Sequence, residues 1–308
     1  MNIFLKLIRW PNVLMTLFTQ VVVYFALVVP SNLLLALEHW QFIFLITSTA
    51  LLTASGNVIN DIYDIPIDKV NKPDQVIVGQ FISEKKAFRI YMILTVVAVV
   101  LGFIVANSVD KPILSSIFIV VSFALYSYAS SLKSILLVGN LLISILVGLV
   151  VLIVGIFELF PVSAMHTQQQ LASVNIIILY FSLGAFILNL IREWIKDCED
   201  VNGDRIGGRN TIALALGRQR ASRMISLIIG SLVILMGYAA ITWFAPYEIA
   251  LYYWIFLIMA PLMIVGIQLW NAECVSKFHK LSFIMKLIMF TGILFMFFYN
   301  ADTINSIF

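Results

Sequence analysis

Residues 41–68 read QFIFLITSTALLTASGNVINDIYDIPID. The first twenty carry no charge, and at about 1.5 Å of rise per residue such a helix spans about 30 Å, the thickness of a bilayer's hydrocarbon core. The stretch then turns acidic, with Asp61, Asp64 and Asp68 beside Asn57 and Asn60. An ionised side chain at the bilayer centre costs roughly 2.5–3.5 kcal/mol on insertion scales, so these acids must face water, a cation or both. A second apolar window, 174–193, ends the same way: residues 192–205 read REWIKDCEDVNGDR and bring Glu193, Asp197, Asp200 and Asp204. Two carboxylate clusters at the ends of membrane spans point to a membrane enzyme built around a metal-bound, polyanionic substrate.

The rest of the chain agrees with that class. Of its 308 residues 62% are hydrophobic and 11% charged, against roughly 45–50% and about 25% in soluble domains. Mean hydropathy is +1.03. Apolar windows fall near 12–30, 41–60, 87–107, 112–130, 135–156, 174–193, 222–243, 247–268 and 283–300. The expected fold is therefore all-α: a polytopic membrane protein of nine transmembrane helices, one domain over 1–308, bundled round a central cavity open to the cytosol. Pro11 suits a first helical turn, and Trp10, Trp40, Trp243 and Trp270 sit at window ends, where amphipathic rings favour the interface. The N-terminal run has no small-residue cleavage site and reads as a retained first helix. No basic run or Cys/His module points to nucleic acid, and no protein partner is implied. Cys198 and Cys274 fall in loops expected to be cytosolic and make neither a disulfide nor a zinc site.

Orientation follows from the bases. Every Lys and Arg except Lys111 falls on one side of the nine-window layout, Lys72 and Lys286 included. Cytoplasmic loops collect such residues, so the N-terminus and the acidic loops are expected in the cytosol and the C-terminus outside. Of the acids, Glu38, Asp110, Glu158, Glu248 and Asp302 fall on the outer side. The outer loop 157–173, with His166 and Gln168-Gln169-Gln170, has no evident function, and Lys277, His279 and Lys280 read as a solvated cytosolic loop. The stretches from Asp68 and from Asp204 look like distant copies, which pairs the two clusters across a pseudo-symmetric bundle.

Asn60, Asp64 and Asp68 are spaced four and four, along one helix face, with Asn57 and Asp61 beside them. Pro66 interrupts the pattern, so Asp68 is expected on a turn folding back over the site. Asp197, Asp200 and Asp204 follow three-and-four spacing, and Gly203 is expected to help end that helix. Carboxylates and an amide oxygen are hard ligands suited to Mg²⁺, commonly held by one or two carboxylates plus substrate phosphate. The candidate metal ligands are Asn60, Asp61, Asp64, Asp68, Asp197, Asp200 and Asp204. Lys133, Arg192, Lys196, Arg205 and Arg209 are the nearest cations to close a shell round a diphosphate. Tyr128 can offer its ring face to a developing positive charge. The Phe, Leu, Ile and Met of the bundle can form a tunnel for a lipid chain.

Asn60-Asp61-x-x-Asp64-x-x-x-Asp68 resembles the first aspartate motif of the UbiA-type intramembrane prenyltransferases, and Asp197-x-x-Asp200-x-x-Gly203-Asp204 resembles the second. The opening Arg9-Trp10-Pro11-Asn12, Tyr128-x-x-x-x-Lys133 and the nine-span layout are also similar to that family. The resemblance implies Mg²⁺-dependent transfer of a polyprenyl group from its diphosphate to a nucleophilic acceptor. It implies that Asn60, Asp64, Asp200 and Asp204 hold the metals with Asp68 and Asp197 in support. Lys133, Arg192 and Lys196 would then contact diphosphate, with Arg9, Asn12 and Asn57 on the substrate side. Residues 192–217 and the stretch around Gly139-Asn140 most resemble the digeranylgeranylglyceryl phosphate synthase branch, whose acceptor is a prenylated glycerol phosphate and whose product is an ether lipid. Asp74-Gln75-Val76 departs from the family's usual Arg-Pro-hydrophobic after the first motif.

Three rival readings stand beside this one. The acceptor can be an aromatic ring, as in quinone, haem or chlorophyll pathways. The acids can serve a divalent-cation transporter, although acids and bases crowd one side of the membrane and the outer half lacks partners. A CDP-alcohol phosphotransferase would need a contiguous Asp-Gly and Ala-Arg motif that is not found. For an alcohol acceptor an aspartate or water must take the proton.

Overall fold

Backbone groups within a bilayer must be paired internally, so long apolar segments fold as helices. The computed structural model describes residues 3–71 and 73–298; Lys72 and Asp302, both weighed above, lie outside them. Among the described residues nine helices are long and apolar enough to cross a membrane: α1 (Trp10–Ser31), α2 (His39–Tyr63), α3 (Glu84–Ser108), α4 (Pro112–Ser130), α5 (Val138–Leu159), α6 (Gln168–Glu199), α7 (Arg218–Phe244), α8 (Glu248–Trp270) and α9 (Val275–Phe298). Among those residues the only β pairing is an isolated bridge between Val78 and Ile82.

The two acid-bearing helices are the hubs. α2 packs on α1, α3 and α4, while α6 packs on α5, α7 and α9. One apolar core, including Phe118 and Phe157, fills the first half. A second, including Phe278 and Phe295, fills the other. Serine hydroxyls tie neighbouring helices by donating to carbonyls: Ser48 to Ala98 (2.7 Å), Ser182 to Gly148 (2.9 Å) and Ser226 to Gly266 (2.7 Å). Such small polar residues are the usual glue where lipid removes the hydrophobic drive between helices. Phe123, Ile234 and Ile241 lie exposed on the outside, as suits a surface met by lipid.

Several element ends differ from the sequence reading. α6 begins at Gln168, where Thr167 and Gln170 form a capping box, so the glutamine run is a helix's first turn and not loop. α9 begins at Val275, which makes Lys277, His279 and Lys280 helical. Asp68 is not on a turn: it lies in a short helix, Ile65–Asn71, because Pro66 occupies that helix's first turn, where its missing N–H costs nothing. Asp200 is likewise followed by the short helix Val201–Ile206, and the two short helices pack on each other. The four tryptophans named above lie at or near helix ends and are each about 40% exposed.

Candidate active site

The end of α2 sets the first half of the site. Asp64 caps that helix, its N–H bonded to the Asn60 carbonyl at 2.9 Å. Asn60 Nδ2 donates to Asp64 Oδ2 at 2.7 Å, fixing the carboxylate against the last turn. Lys133, from the loop between α4 and α5, donates to Asp64 Oδ1 at 2.6 Å and to Asn60 Oδ1 at 3.3 Å. That lysine reaches in because its turn packs on the start of α5: a Cβ on Gly139 would stand 2.7 Å from Lys133 Cα. Burial lowers the Lys133 pKa from the ordinary lysine value, against the pull of Asp64.

The second half arrives through Arg209. Its Nη2 donates to Asp64 Oδ1 and its Nη1 to Asp204 Oδ1 at 3.2 Å. The loop that carries it is pinned by the Asn210 N–H donating to the Ser134 carbonyl at 3.0 Å, one residue from Lys133. Burial pushes the Asp204 carboxyl up to about 6, with Arg209 opposing and Asp200 adding to the rise. The two acidic clusters therefore meet across one shared guanidinium.

Asn71 is a second tie, and the sequence reading missed it. Its Nδ2 donates to the Asp200 carbonyl at 3.2 Å, and its Oδ1 accepts the Gly203 N–H at 2.8 Å. A Cβ on Gly203 would lie 2.4 Å from Asn71 Nδ2. Gly203 is thus required for close approach between the two short helices; it does not end a helix as expected, since α6 stops at Glu199 with Asp200 as its cap and Gly203 lies inside Val201–Ile206. Asn140 donates to Asp197 Oδ2 at 3.1 Å, which gives the Gly139-Asn140 stretch its place.

Below this rim lies a cavity of about 800 Å³ between the two halves of the bundle. Its polar end is lined by Arg9, Asn12, Asn57, Asn60, Tyr128, Arg192, Glu193, Lys196 and Lys286, and its depth by residues such as Leu52, Phe118, Val147 and Phe181.

Not every expected residue joins one cluster. Asp61, expected among the metal ligands, instead pairs with Arg9 at 2.6 Å, because it projects from α2 one residue past Asn60 and away from the Asp64 face. Asn57 donates to the Ile8 carbonyl at 2.9 Å while still lining the cavity. Arg205 is exposed, makes no ion pair among the described residues and does not line the cavity. Arg192 and Lys196 gather at Glu193, at 2.7 and 3.7 Å, apart from Lys133 and Arg209. Asp68 lies half-buried on its short helix. His279, given no role from sequence, faces the buried Glu199 with Nδ1 at 3.0 Å from Oε1.

Among the described residues no three His, Cys, Asp or Glu side chains converge closely enough to hold an ion by themselves. The donor set nevertheless fits a hard divalent cation. Oxygens of Asn60, Asp64 and Asp204 are already gathered on positive charge, that of Lys133 and Arg209, and Mg²⁺ commonly takes few protein ligands, with substrate phosphate completing its shell.

Helix ends that carry aspartates over an apolar cavity, among helices long and apolar enough to cross a membrane, define an integral, multi-pass membrane protein with a charged site at one end of an apolar chamber. The chain belongs to the UbiA prenyltransferase family, whose model matches residues 13–290, and it is a prenyltransferase by that membership. It is 31% identical over 239 residues to the digeranylgeranylglyceryl phosphate synthase of Methanosphaera stadtmanae, covering 76% of this chain and 79% of that one. Among solved structures, a digeranylgeranylglyceryl phosphate synthase superposes with a TM-score of 0.62 at 21% identity, over 96% of this chain and 98% of the other. A UbiA homologue from Archaeoglobus fulgidus bound to GPP and Mg²⁺ gives 0.57 at 16%, over 96% and 99%. At such identities these structures bear on the fold.

Proposed function

We propose that this protein transfers a geranylgeranyl group from its diphosphate to the free hydroxyl of a geranylgeranylglyceryl phosphate, forming an ether lipid with Mg²⁺. The observation that carries the reading is the Asp64–Arg209–Asp204 bridge, joined through Asn60 to the polar end of an apolar cavity. Asn60, Asp64, Asp200 and Asp204 would hold the ions, with Asp68 and Asp197 behind them. Bound Mg²⁺ would neutralise the diphosphate and make it a better leaving group.

The chain's own residues do the rest. The cavity takes the prenyl tail and keeps water from the allylic carbon as its C–O bond to diphosphate breaks. Lys133 and Arg209, held beside the carboxylates, supply positive charge where the departing diphosphate gains negative charge. Tyr128 lines the cavity below them, where its ring face suits the cationic carbon. The acceptor hydroxyl forms the new C–O bond from within the same chamber, and its proton passes to an aspartate of the rim or to water as the diphosphate leaves.

The same reading sets the aspartate-bearing loops and the N-terminus in the cytosol and the far end of α9 outside, since the bases of 3–298 crowd the aspartate side. It also treats the chain as one domain, because the site draws on both halves. The test is an assay of membranes with labelled geranylgeranyl diphosphate and two acceptors, geranylgeranylglyceryl phosphate and an aromatic acid. An ether lipid from the first is expected. Prenylation of the aromatic acid alone would overturn the proposal in favour of the aromatic-acceptor reading.

A further inference from the structure

Lys286 stands inside α9, eleven residues past its first residue, or about 16 Å along the helix axis. It lines the large cavity, and among the described residues it has no carboxylate partner within ion-pair distance. A lysine within a membrane span is costly and marks function by default. Nothing in the transfer chemistry above employs it.

Its surroundings are also basic. α9 packs on α6, running the opposite way, and the His279–Glu199 contact sets the register. From there Lys286 is seven residues deeper on α9 and Glu193 six residues deeper on α6, so the two stand level. Arg192, Lys196 and Arg9 are the charges that bear on Lys286 besides Glu193. Within ion-pair distance the other three cations meet two carboxylates, Glu193 and the Asp61 that Arg9 engages; Asp64 and Asp68 act on Arg9, and Asp197 and Asp204 on Lys196, from farther off, which leaves Lys286 as the cation on this cavity wall without a carboxylate of its own. Arg192 spends Nη1 on Glu193, but its buried Nε has no acceptor. Buried donors are normally satisfied, and a crowd of like charges in a low-dielectric wall is stable only when something neutralises it.

We infer that Lys286, with Arg192, Lys196 and Arg9, forms a second anion site in the cavity, distinct from the aspartate rim, that binds the phosphate monoester of the acceptor lipid. A phosphate monoester carries close to two negative charges near neutral pH, which suits a wall where Lys286 lacks a carboxylate and Arg192 keeps a buried Nε without an acceptor. The division of labour follows from charge. The acidic rim takes a diphosphate only with added cations, whereas this wall takes an anion unaided. The cluster also accounts for Arg192 and Lys196 standing apart from Lys133 and Arg209. The inference rests on the glycerol phosphate reading of the acceptor.

The test compares geranylgeranylglyceryl phosphate with the same lipid alcohol lacking phosphate, in wild type, Lys286→Gln and Lys286→Arg. Wild type should favour the phosphorylated acceptor. Lys286→Gln should raise the KM for that acceptor at least tenfold, leave the KM for geranylgeranyl diphosphate within twofold and melt no lower than wild type without substrate, since it removes a crowded charge. Lys286→Arg should keep the preference. Equal losses for both acceptors, an unchanged acceptor KM, or a matching rise in the diphosphate KM would overturn the second site while leaving the proposed reaction standing. If wild type prenylates only an aromatic acid, it is the reaction that fails.

Discussion

Asp64 and Arg209, 145 residues apart in the chain, are joined side chain to side chain, and the same guanidinium reaches Asp204. One cation therefore closes the two halves of the bundle over the cavity. Arg209 and Lys133 sit where the acids need counter-charge, so the site is held together before any substrate enters.

Removing that cation should separate stability from metal response. Asp204 is 2% exposed, and a buried charge left without its partner typically costs about 3–5 kcal/mol. Arg209→Met should lower the melting temperature in metal-free detergent solution by several degrees. Added Mg²⁺ should recover more stability in the variant than in wild type, because a divalent ion replaces the lost charge. Turnover should fall about 100-fold or more, the scale seen when one charge-stabilising donor is lost. Thermal melts with and without Mg²⁺ and a prenyl-transfer assay read both effects.

Removing a carboxylate should act on turnover first. Asp64→Ala and Asp200→Ala should each abolish prenyl transfer, and EDTA should do the same to the wild type. Asp64→Asn, which keeps the shape but not the charge, should raise the Mg²⁺ concentration for half-maximal rate and lower kcat at least about 100-fold. Full turnover by either alanine variant, or in excess EDTA, would refute a metal role for these acids.

The loop contact offers a sharper test of geometry. Asn71→Ala deletes both of that side chain's bonds; the Asp200 carbonyl keeps the Asp204 N–H at 3.0 Å, but the Gly203 N–H loses its acceptor, at about 1–3 kcal/mol. Gly203→Ala destabilises by a different route, since its Cβ collides with Asn71. The two should therefore be non-additive: Gly203→Ala should cost distinctly less in the Asn71→Ala background than in wild type. Additive melting-temperature losses would show that the contact does not matter.

Much of this was legible in the chain. Among the described residues the nine spans follow from hydropathy, and the pairing of the two acidic clusters, seen at Asp64 and Asp204, from the cost of placing acids at the ends of apolar windows. What stayed hidden depends on which side chains meet. Asp61 sits one residue from Asn60, yet a one-residue step turns a helical side chain by about 100°, enough to send it to Arg9. Asn71 carries no local signal, since nothing near it in the chain says that an amide will cap a backbone 132 residues away. Lys286 reads as a base on the loop side because the apolar window begins only at 283, whereas α9 begins at Val275 and carries Lys286 eleven residues in.

Proton competition at Asp204 gives the last test. Its folded pKa is raised to about 6, above the roughly 3.9 of an unfolded aspartate. Between those values the fold holds a proton that the unfolded chain has released. This group's contribution to metal-free stability is thus fully present below pH about 4 and is lost as pH rises through 6. Mg²⁺ runs the other way, because a metal must displace that proton. Its stabilisation of the protein should be full at pH 7.5, begin to fall through pH 6 and be lower by about 1.4 kcal/mol at pH 5, where the proton on Asp204 competes about tenfold. In Asp204→Asn, which has no proton to displace there, the remaining Mg²⁺ response should vary less over the same range. Melting curves across pH with and without Mg²⁺ measure both, and identical pH profiles in the two proteins would remove Asp204 from the ion's surroundings.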